Sequence, residues 1–471
     1  MKYKAFIIIV IFLSVSSCSH KGGTVSGARE KTNPNIVFIV IDDLGWSDVG
    51  FMGNPVYDTP NLDKLSSESI VFNNAYAPAA NCAPSRACIF SGKNTPKHGI
   101  YTVGSSERGE SKTRKLIPTT NITTLEENFV TIAEALKKNG YTTATMGKWH
   151  LGDDPKTQGF DVNIGGSHAG HPKSYFSPYK NKALKDGEEG EYLTDRLTNE
   201  AIGFMKSNKD KPFFLYLPYF TVHTPLQGKE HLVSKYKAKL GSDKRFNAKY
   251  GAMVESMDEN VGKLLRKLKD LNIDENTLVI FMSDNGGLAS VSSQFPLRAG
   301  KGSYYEGGIR VPFFVKWPSK IKKYRIDKTP ITGLDIFPTL MDVVNDSTSY
   351  DLDGVSLLPL LTKNKALEER PLFWHFPVYL QGVNPKKDQA RDTLYRTRPG
   401  SVIRKGKWKL HEYFEDNTLE LYNLEVDVRE QNDVSKDNIE KVKELHNELK
   451  AWRNRVNAPV PTELNPEYLF N

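Results

Sequence analysis

The run Cys82, Ala83, Pro84, Ser85, Arg86 puts a thiol, a helix-starting proline and a permanent cation within five residues. Pro84 suits the first turn of a helix, so Cys82 is expected just before a helix N-terminus, where backbone amides attract anions. Arg86 then lies one turn up the same face. A planar, always-charged guanidinium there can hold both the group at position 82 and an anion that this group attacks. Taken alone, the five residues also fit a small buried hydrophobe at the start of a helix.

Acidic residues form a second set. Asn35–Ile41 is a continuous apolar run, suited to a strand buried on both faces, and it ends abruptly in Asp42 and Asp43. Residues 277–282 form another such run, ending in Ser283, Asp284 and Asn285, and residues 212–219 a third, followed by His223, Thr224 and Pro225. Helical patterns lie between them at 131–139 and 250–271, the latter with Met253, Met257, Val261, Leu264, Leu265 and Leu268 on one face. Strands alternating with helices predict an α/β fold with a mostly parallel sheet, whose ligands sit beyond the carboxyl ends of the strands. That rule brings Asp42, Asp43, Asp284 and Asn285 to one edge, where four oxygen donors would repel one another without a cation. Oxygen donors without sulfur favour calcium or magnesium over zinc. Each pair by itself also fits acids that cap unrelated helices.

The basic candidates come next. Residues 142–146 read as a short strand, and the following Gly147, Lys148, Trp149, His150 would put Lys148 and His150 on one side if the chain stayed extended. His223 follows a strand, and Lys301 opens a glycine-punctuated stretch that runs through Glu306, Gly307, Gly308 and Arg310 to Pro312. A lone lysine is usually a solvated charge, and a lone histidine a packed one.

Together these residues resemble, in type and order, the type I formylglycine-dependent sulfatases, arylsulfatase-like members of the alkaline phosphatase superfamily, and especially polysaccharide sulfatases of marine Bacteroidetes-type bacteria. The resemblance runs from about residue 35 to 430 and includes Val402, Ile403, Arg404, Lys405, Gly406, Lys407, Trp408 and the later Leu421, Tyr422, Asn423, Leu424. It implies an alkaline-phosphatase-like large domain, with a mostly parallel central sheet flanked by helices, at 35–369. A small C-terminal α+β domain with an antiparallel sheet follows at 370–471. It further implies that Cys82 is converted to formylglycine by a formylglycine-generating or anaerobic sulfatase-maturating enzyme. Asp42, Asp43, Asp284 and Asn285, with the residue at 82, would hold one calcium ion.

The implied reaction is hydrolysis of a sulfate ester, attacked at sulfur by one hydroxyl of the formylglycine hydrate. Arg86, Lys148 and Lys301 would stabilise negative charge, His223 would protonate the leaving oxygen, and His150 would take the proton whose loss expels sulfate. The implied partner is a sulfated poly- or oligosaccharide, with algal glycans such as ulvan or carrageenan preferred to animal glycosaminoglycans. Loops 102–128, 165–191 and 377–399 would choose the sugar. They carry His168, His171 and Tyr175 in the second, and Lys386, Lys387, Arg391, Arg396 and Arg398 in the third. His168, His171 and Arg298 are the named candidates for sugar contacts. Two other readings stay open: a phosphodiesterase or phosphonate monoester hydrolase of the same superfamily, and a non-catalytic sulfated-glycan binder that keeps Cys82 as a thiol.

A chain of 471 residues with 38% hydrophobic content can fill one large core and a smaller companion. Lys2 and Lys4 precede an apolar run at 5–13 that is too short to span a bilayer, which predicts an export signal at 1–17. Val15, Ser16 and Ser17 before Cys18 resemble a bacterial lipoprotein processing site. Acylated Cys18 would then anchor the chain to outer-membrane lipid through a Gly- and Ser-containing tether at 18–34, with the enzyme periplasmic or on the outer membrane. Of three cysteines, that leaves Cys88 without a disulfide partner and expected in the core. The net charge of +8 comes from intermixed signs and offers no long basic stripe for nucleic acid.

Overall fold

The computed structural model describes residues 33–469 other than 244 and 383. The expected signal at 1–17, Cys18 and nearly all of the tether lie outside the described residues. Among those described, no helix is long and apolar enough to cross a membrane.

The apolar run Asn35–Ile41 is the middle strand of an eight-stranded sheet, with every residue buried. It pairs in parallel with Phe213–Tyr219 on one side and with Thr277–Ser283 on the other, and Thr142–Met146 lies parallel beyond Phe213–Tyr219. Because side chains alternate across a strand, Ile36, Phe38 and Val40 face one helical layer and Val37, Ile39 and Ile41 the other. The first layer includes Cys82–Ser91, Ile132–Lys138 and Ile336–Val344; the second includes Leu193–Asn208 and Ala248–Asp270. Phe313–Lys316 runs antiparallel to its neighbours, so the sheet is mostly and not wholly parallel.

Local chemistry explains the helix boundaries. Thr131 closes a capping box with Glu134, and Asn247 accepts from the backbone amides of Lys249 and Tyr250 at the start of the long helix. Cys82 is itself the first helical residue, with Asn81 as cap, where the sequence placed it just before the helix.

Later residues build a separate four-stranded antiparallel sheet, in the order Leu372–Phe376, Gly400–Lys405, Trp408–Tyr413, Leu419–Asn423. The helix Ile439–Arg455 covers it with Leu445, Leu449 and Trp452, the last stacked on Phe373 at 4.6 Å. From residue 33 onward the chain packs as one compact unit. Buried ion pairs help join the two sheets: Lys409 Nζ lies 2.9 Å from Glu306 Oε1 and 3.0 Å from Glu430 Oε1.

The covering helix is also tied by charge. Arg453 and His446 both meet the Glu412 carboxylate. Burial raises the pKa of that carboxyl, but His446 and Arg453 outweigh it and bring it from 4.5 down to about 2. A folded-state pKa below the unfolded value means stability that is fully present above pH 4.5 and is lost as pH falls toward 2. Urea unfolding across that window should therefore cost wild type more stability than Glu412→Gln. Parallel losses in the two proteins would remove this pair from the account.

Candidate active site

Four adjacent strands end on the same edge of the central sheet, and each end carries part of the expected chemistry. After Ile41 come Asp42 and Asp43; after Met146, Lys148 and His150; after Tyr219, His223; and after Ser283, Asp284 and Asn285. Cys82 faces the same group from its helix. Its Sγ lies 3.5 Å from Asp42 Oδ1, 3.7 Å from Asp43 Oδ1 and 3.0 Å from Lys301 Nζ. Asp42, Asp43, Cys82 and His223 each offer a ligand atom within 4.8 Å of the others.

The charges interlock. Lys148 Nζ donates to both oxygens of Asp42 at 2.9 and 2.8 Å, and Lys301 Nζ lies 2.7 Å from Asp43 Oδ1. Arg86 places Nε 2.9 Å and Nη2 2.8 Å from Asp284 Oδ2, and its Nη1 donates to the Lys148 carbonyl at 2.8 Å. Burial alone would keep the two aspartates neutral. The Lys148 ammonium pulls Asp42 below its ordinary pKa, and Lys301 does the same for Asp43. Asp284, buried and beside the other two acids, rises to about 6 despite Arg86.

Asn285 gives the clearest test of whether a cation fits these residues. Its Nδ2 donates to Asp43 Oδ1 and to the Gly286 carbonyl, both at 2.9 Å, while its buried Oδ1 has no hydrogen-bond partner. An orphaned amide oxygen beside three carboxylates fits a hard divalent cation, which would satisfy the oxygen.

Around this core the backbone approaches itself closely. A Cβ on Gly286 would stand 1.9 Å from the Gly307 carbonyl oxygen, and one on Gly308 1.9 Å from that of Ser303. These glycines let the stretch 300–308 fold against residues 286–287, where Lys301 N–H donates to the Gly287 carbonyl at 2.8 Å. The glycine punctuation seen in the sequence is thus what aims Lys301.

Burial pushes the Cys82 thiol up to about 12, even though Lys148 and Lys301 pull it down. An unmodified Cys82 is therefore a protonated thiol at neutral pH and a poor nucleophile. His150 is held well below its ordinary pKa by burial, then by Lys148, Arg86 and Lys301, so it is a neutral base. Its backbone is left-handed, with φ of 66°, in place of the extended conformation expected. His223 donates from Nδ1 to the Thr224 carbonyl at 2.7 Å, leaving Nε2 to face Asp43 Oδ2 at 3.6 Å.

His168 sits beside His150, ring centroids 6.2 Å apart, and His171 stacks on His223 at 6.1 Å. Arg298 stands apart from the other candidates. It donates to the Glu430 and Gln389 carbonyls at 2.8 and 3.1 Å and lies over the Tyr305 ring at 3.8 Å, so it fastens the loop to the C-terminal sheet. Cys88 is buried as expected, with Sγ 3.3 Å from His98 Nε2. Two contributors were not singled out from the sequence as parts of the group around Cys82. Tyr216 accepts from Arg86 at 3.3 Å, and Arg396 donates to the Lys301 carbonyl at 3.0 Å from behind the lysine. Tyr216 reads as one more apolar strand residue, and Arg396 as loop charge.

Gly170 packs against the His150 ring: a Cβ there would meet Cε1 at 2.5 Å and Nε2 at 2.6 Å. Gly170→Ala should displace the imidazole and lower kcat by about 10- to 100-fold, with little change in melting temperature. Unchanged kcat in sulfate-release assays would show that the position of His150 is not critical.

The fold and this site define a hydrolase of the alkaline phosphatase superfamily. The sulfatase family profile matches residues 34–346, and a second, described as N-sulphoglucosamine sulphohydrolase, C-terminal, matches 300–455. The chain belongs to the sulfatase family and is a sulfuric ester hydrolase. It is 31% identical to a sulfatase of Formosa agariphila, over 97% of this chain and 95% of that one. It is 32% identical to human N-acetylgalactosamine-6-sulfatase, over 75% of this chain and 70% of the relative. The crystal structure of Ps i-CgsB superposes with a TM-score of 0.74 at 31% identity, covering 92% of this chain and 95% of that chain. The same protein in complex with k-i-k-neocarrahexaose gives 0.73 at 32% identity, covering 89% and 93%.

Proposed function

We propose that this chain hydrolyses sulfate esters of a galacto-configured carbohydrate, using formylglycine made from Cys82 and one calcium ion. The observation that carries the reading is the placement of the buried Cys82, its Sγ 3.0 Å from Lys301 and within 4 Å of both aspartates. That position suits a strong nucleophile, and a thiol there is a weak one.

A sulfate ester resists hydrolysis because its oxygens repel nucleophiles and its alkoxide leaves poorly. Hydrated formylglycine supplies two hydroxyls on one carbon, one to attack sulfur and one whose proton loss expels sulfate, and the cation supplies positive charge beside them. Asp42, Asp43, Asp284 and Asn285 would hold the ion. Arg86, Lys148 and Lys301 balance the three carboxylates, so a divalent cation leaves two positive charges to receive an anionic ester and an anionic nucleophile. The three basic side chains would also steady charge on the sulfate oxygens, each well-placed donor contributing about 3 kcal/mol. His223, its Nδ1–H held by the Thr224 carbonyl, would deliver a proton from Nε2 to the departing sugar oxygen in its imidazolium form, which burial disfavours and Asp43 and Asp42 favour, with the Lys301 ammonium beside it as a second donor. His150, neutral among cations, would accept the proton released as sulfate leaves.

The relatives support the sugar. N-acetylgalactosamine and carra-oligosaccharides are both galacto-configured, which favours a carrageenan-like algal galactan over ulvan. Maturation would require a formylglycine-generating or anaerobic sulfatase-maturating enzyme. The basic start, short apolar run and small residues before Cys18 support export and lipid anchoring. Sulfate release from a panel of sulfated oligosaccharides, beside phosphodiesters and phosphonate monoesters, tests the reading. Sulfated galactans should be turned over fastest. Faster turnover of the phosphorus esters would assign the chain to phosphoryl chemistry on the same fold.

A further inference from the structure

Beside the stretch that carries Lys301 lies a surface groove of about 300 Å³ whose lining, among the described residues, holds Arg245, Arg298, Lys386, Lys387 and Arg429 and no carboxylate. Arg245 is paired with Asp243 next to it, and Arg298 is spent on the C-terminal contacts described above. The other three are uncommitted to acids: Lys387 Nζ donates to the Ser290 carbonyl at 3.2 Å, and Arg429 lies 5.1 Å over the ring of Phe295. Among the described residues, neither lysine nor Arg429 has a carboxylate partner at ion-pair distance. Phe295, in the same lining, is 66% exposed.

Like charges gathered in one groove repel, and a low-dielectric wall focuses their field on whatever enters. An anion relieves that repulsion. An exposed aromatic ring beside cations adds an apolar face on which the C–H face of a sugar ring can rest. The groove lies near the site along the chain: Ala299 lines it, and Lys301, two residues on, contacts Cys82. Two residues span at most about 7 Å.

We propose that this groove binds further sulfated residues of an extended glycan while one sulfate ester is held at position 82. The inference rests on the sulfatase reading and extends it: the substrate is an oligomer or polymer that carries more than one sulfate. A nucleic acid would exploit the same charge, but the nearness of Lys301, and through it of position 82, favours a sulfated glycan.

Two variants outside the catalytic group test this, Lys386→Glu/Lys387→Glu and Phe295→Ala. With a sulfated carra-hexasaccharide, kcat/KM should fall about tenfold or more, mainly through KM and more at low salt, while a small monosulfated aryl ester changes by less than about twofold. Equal changes on both substrates, or none on either, would overturn the proposal. If wild type turns over neither substrate, the sulfatase reading has failed, and binding of fluorescently labelled hexasaccharide still decides the groove. Wild type should then bind it and the double variant should not. Tighter binding of a single-stranded oligonucleotide than of the hexasaccharide would overturn the assignment to glycan.

Discussion

Asp284→Asn is expected to lower kcat/KM for sulfate esters by at least about 10³-fold and to strip bound metal, with the fold retained. Asparagine keeps the shape of the side chain that meets Arg86 Nε at 2.9 Å and the Asp43 amide at 3.2 Å. Alanine would be harsher, since it strands a fully buried guanidinium, and removing one partner of such a pair costs about 3–5 kcal/mol. The activity loss should come from the cation. Without the Asp284 charge, the three basic side chains outnumber the remaining two carboxylates, so an incoming divalent ion meets net repulsion. Metal content by elemental analysis should fall with activity. Wild type stripped by chelator should lose activity and regain it with calcium. Full turnover after verified metal removal would refute the metal assignment.

Cys82→Ser should lower turnover by at least about 10⁴-fold, a loss on the scale seen when a nucleophile is removed. Serine carries one hydroxyl on its β-carbon, so a sulfate transferred to it has no neighbouring hydroxyl to push it off. Cys88→Ser is the matched control. Cys88 is buried away from the acids with its sulfur on His98, so the change should leave turnover nearly intact and lower stability modestly by placing a hydroxyl in an apolar setting. A dead Cys88→Ser beside a fully active Cys82→Ser would mean that the wrong cysteine has been placed at the centre.

Much of this site is legible in the chain because strong local signals end at it. The apolar runs that become Asn35–Ile41 and Thr277–Ser283 cannot face water, so they must be central strands, and the acids that follow them must share an edge. The long helix Ala248–Asp270 and the late antiparallel strands follow from the same kind of periodicity. Long-range pairing is what local pattern does not carry. Nothing near Arg86 says that it reaches Asp284, nor does the sequence around His150 announce a left-handed backbone. Arg298 looks like a free loop cation until Tyr305, Tyr422 and Glu430 close around it. Ile70–Phe72, three residues long, owes its place to pairing with Phe313–Lys316 and Arg325–Asp327, more than 200 residues away.

The proposed function puts an aldehyde, reacting as its hydrate, at position 82. Protein matured in its native host, or beside a sulfatase-maturating enzyme, can be digested with trypsin and the peptide containing residue 82 weighed. It should be lighter than the encoded peptide by the difference between CH2SH and CHO, and should form a hydrazone with a hydrazide probe. Active protein whose residue 82 is wholly unmodified thiol would contradict the account.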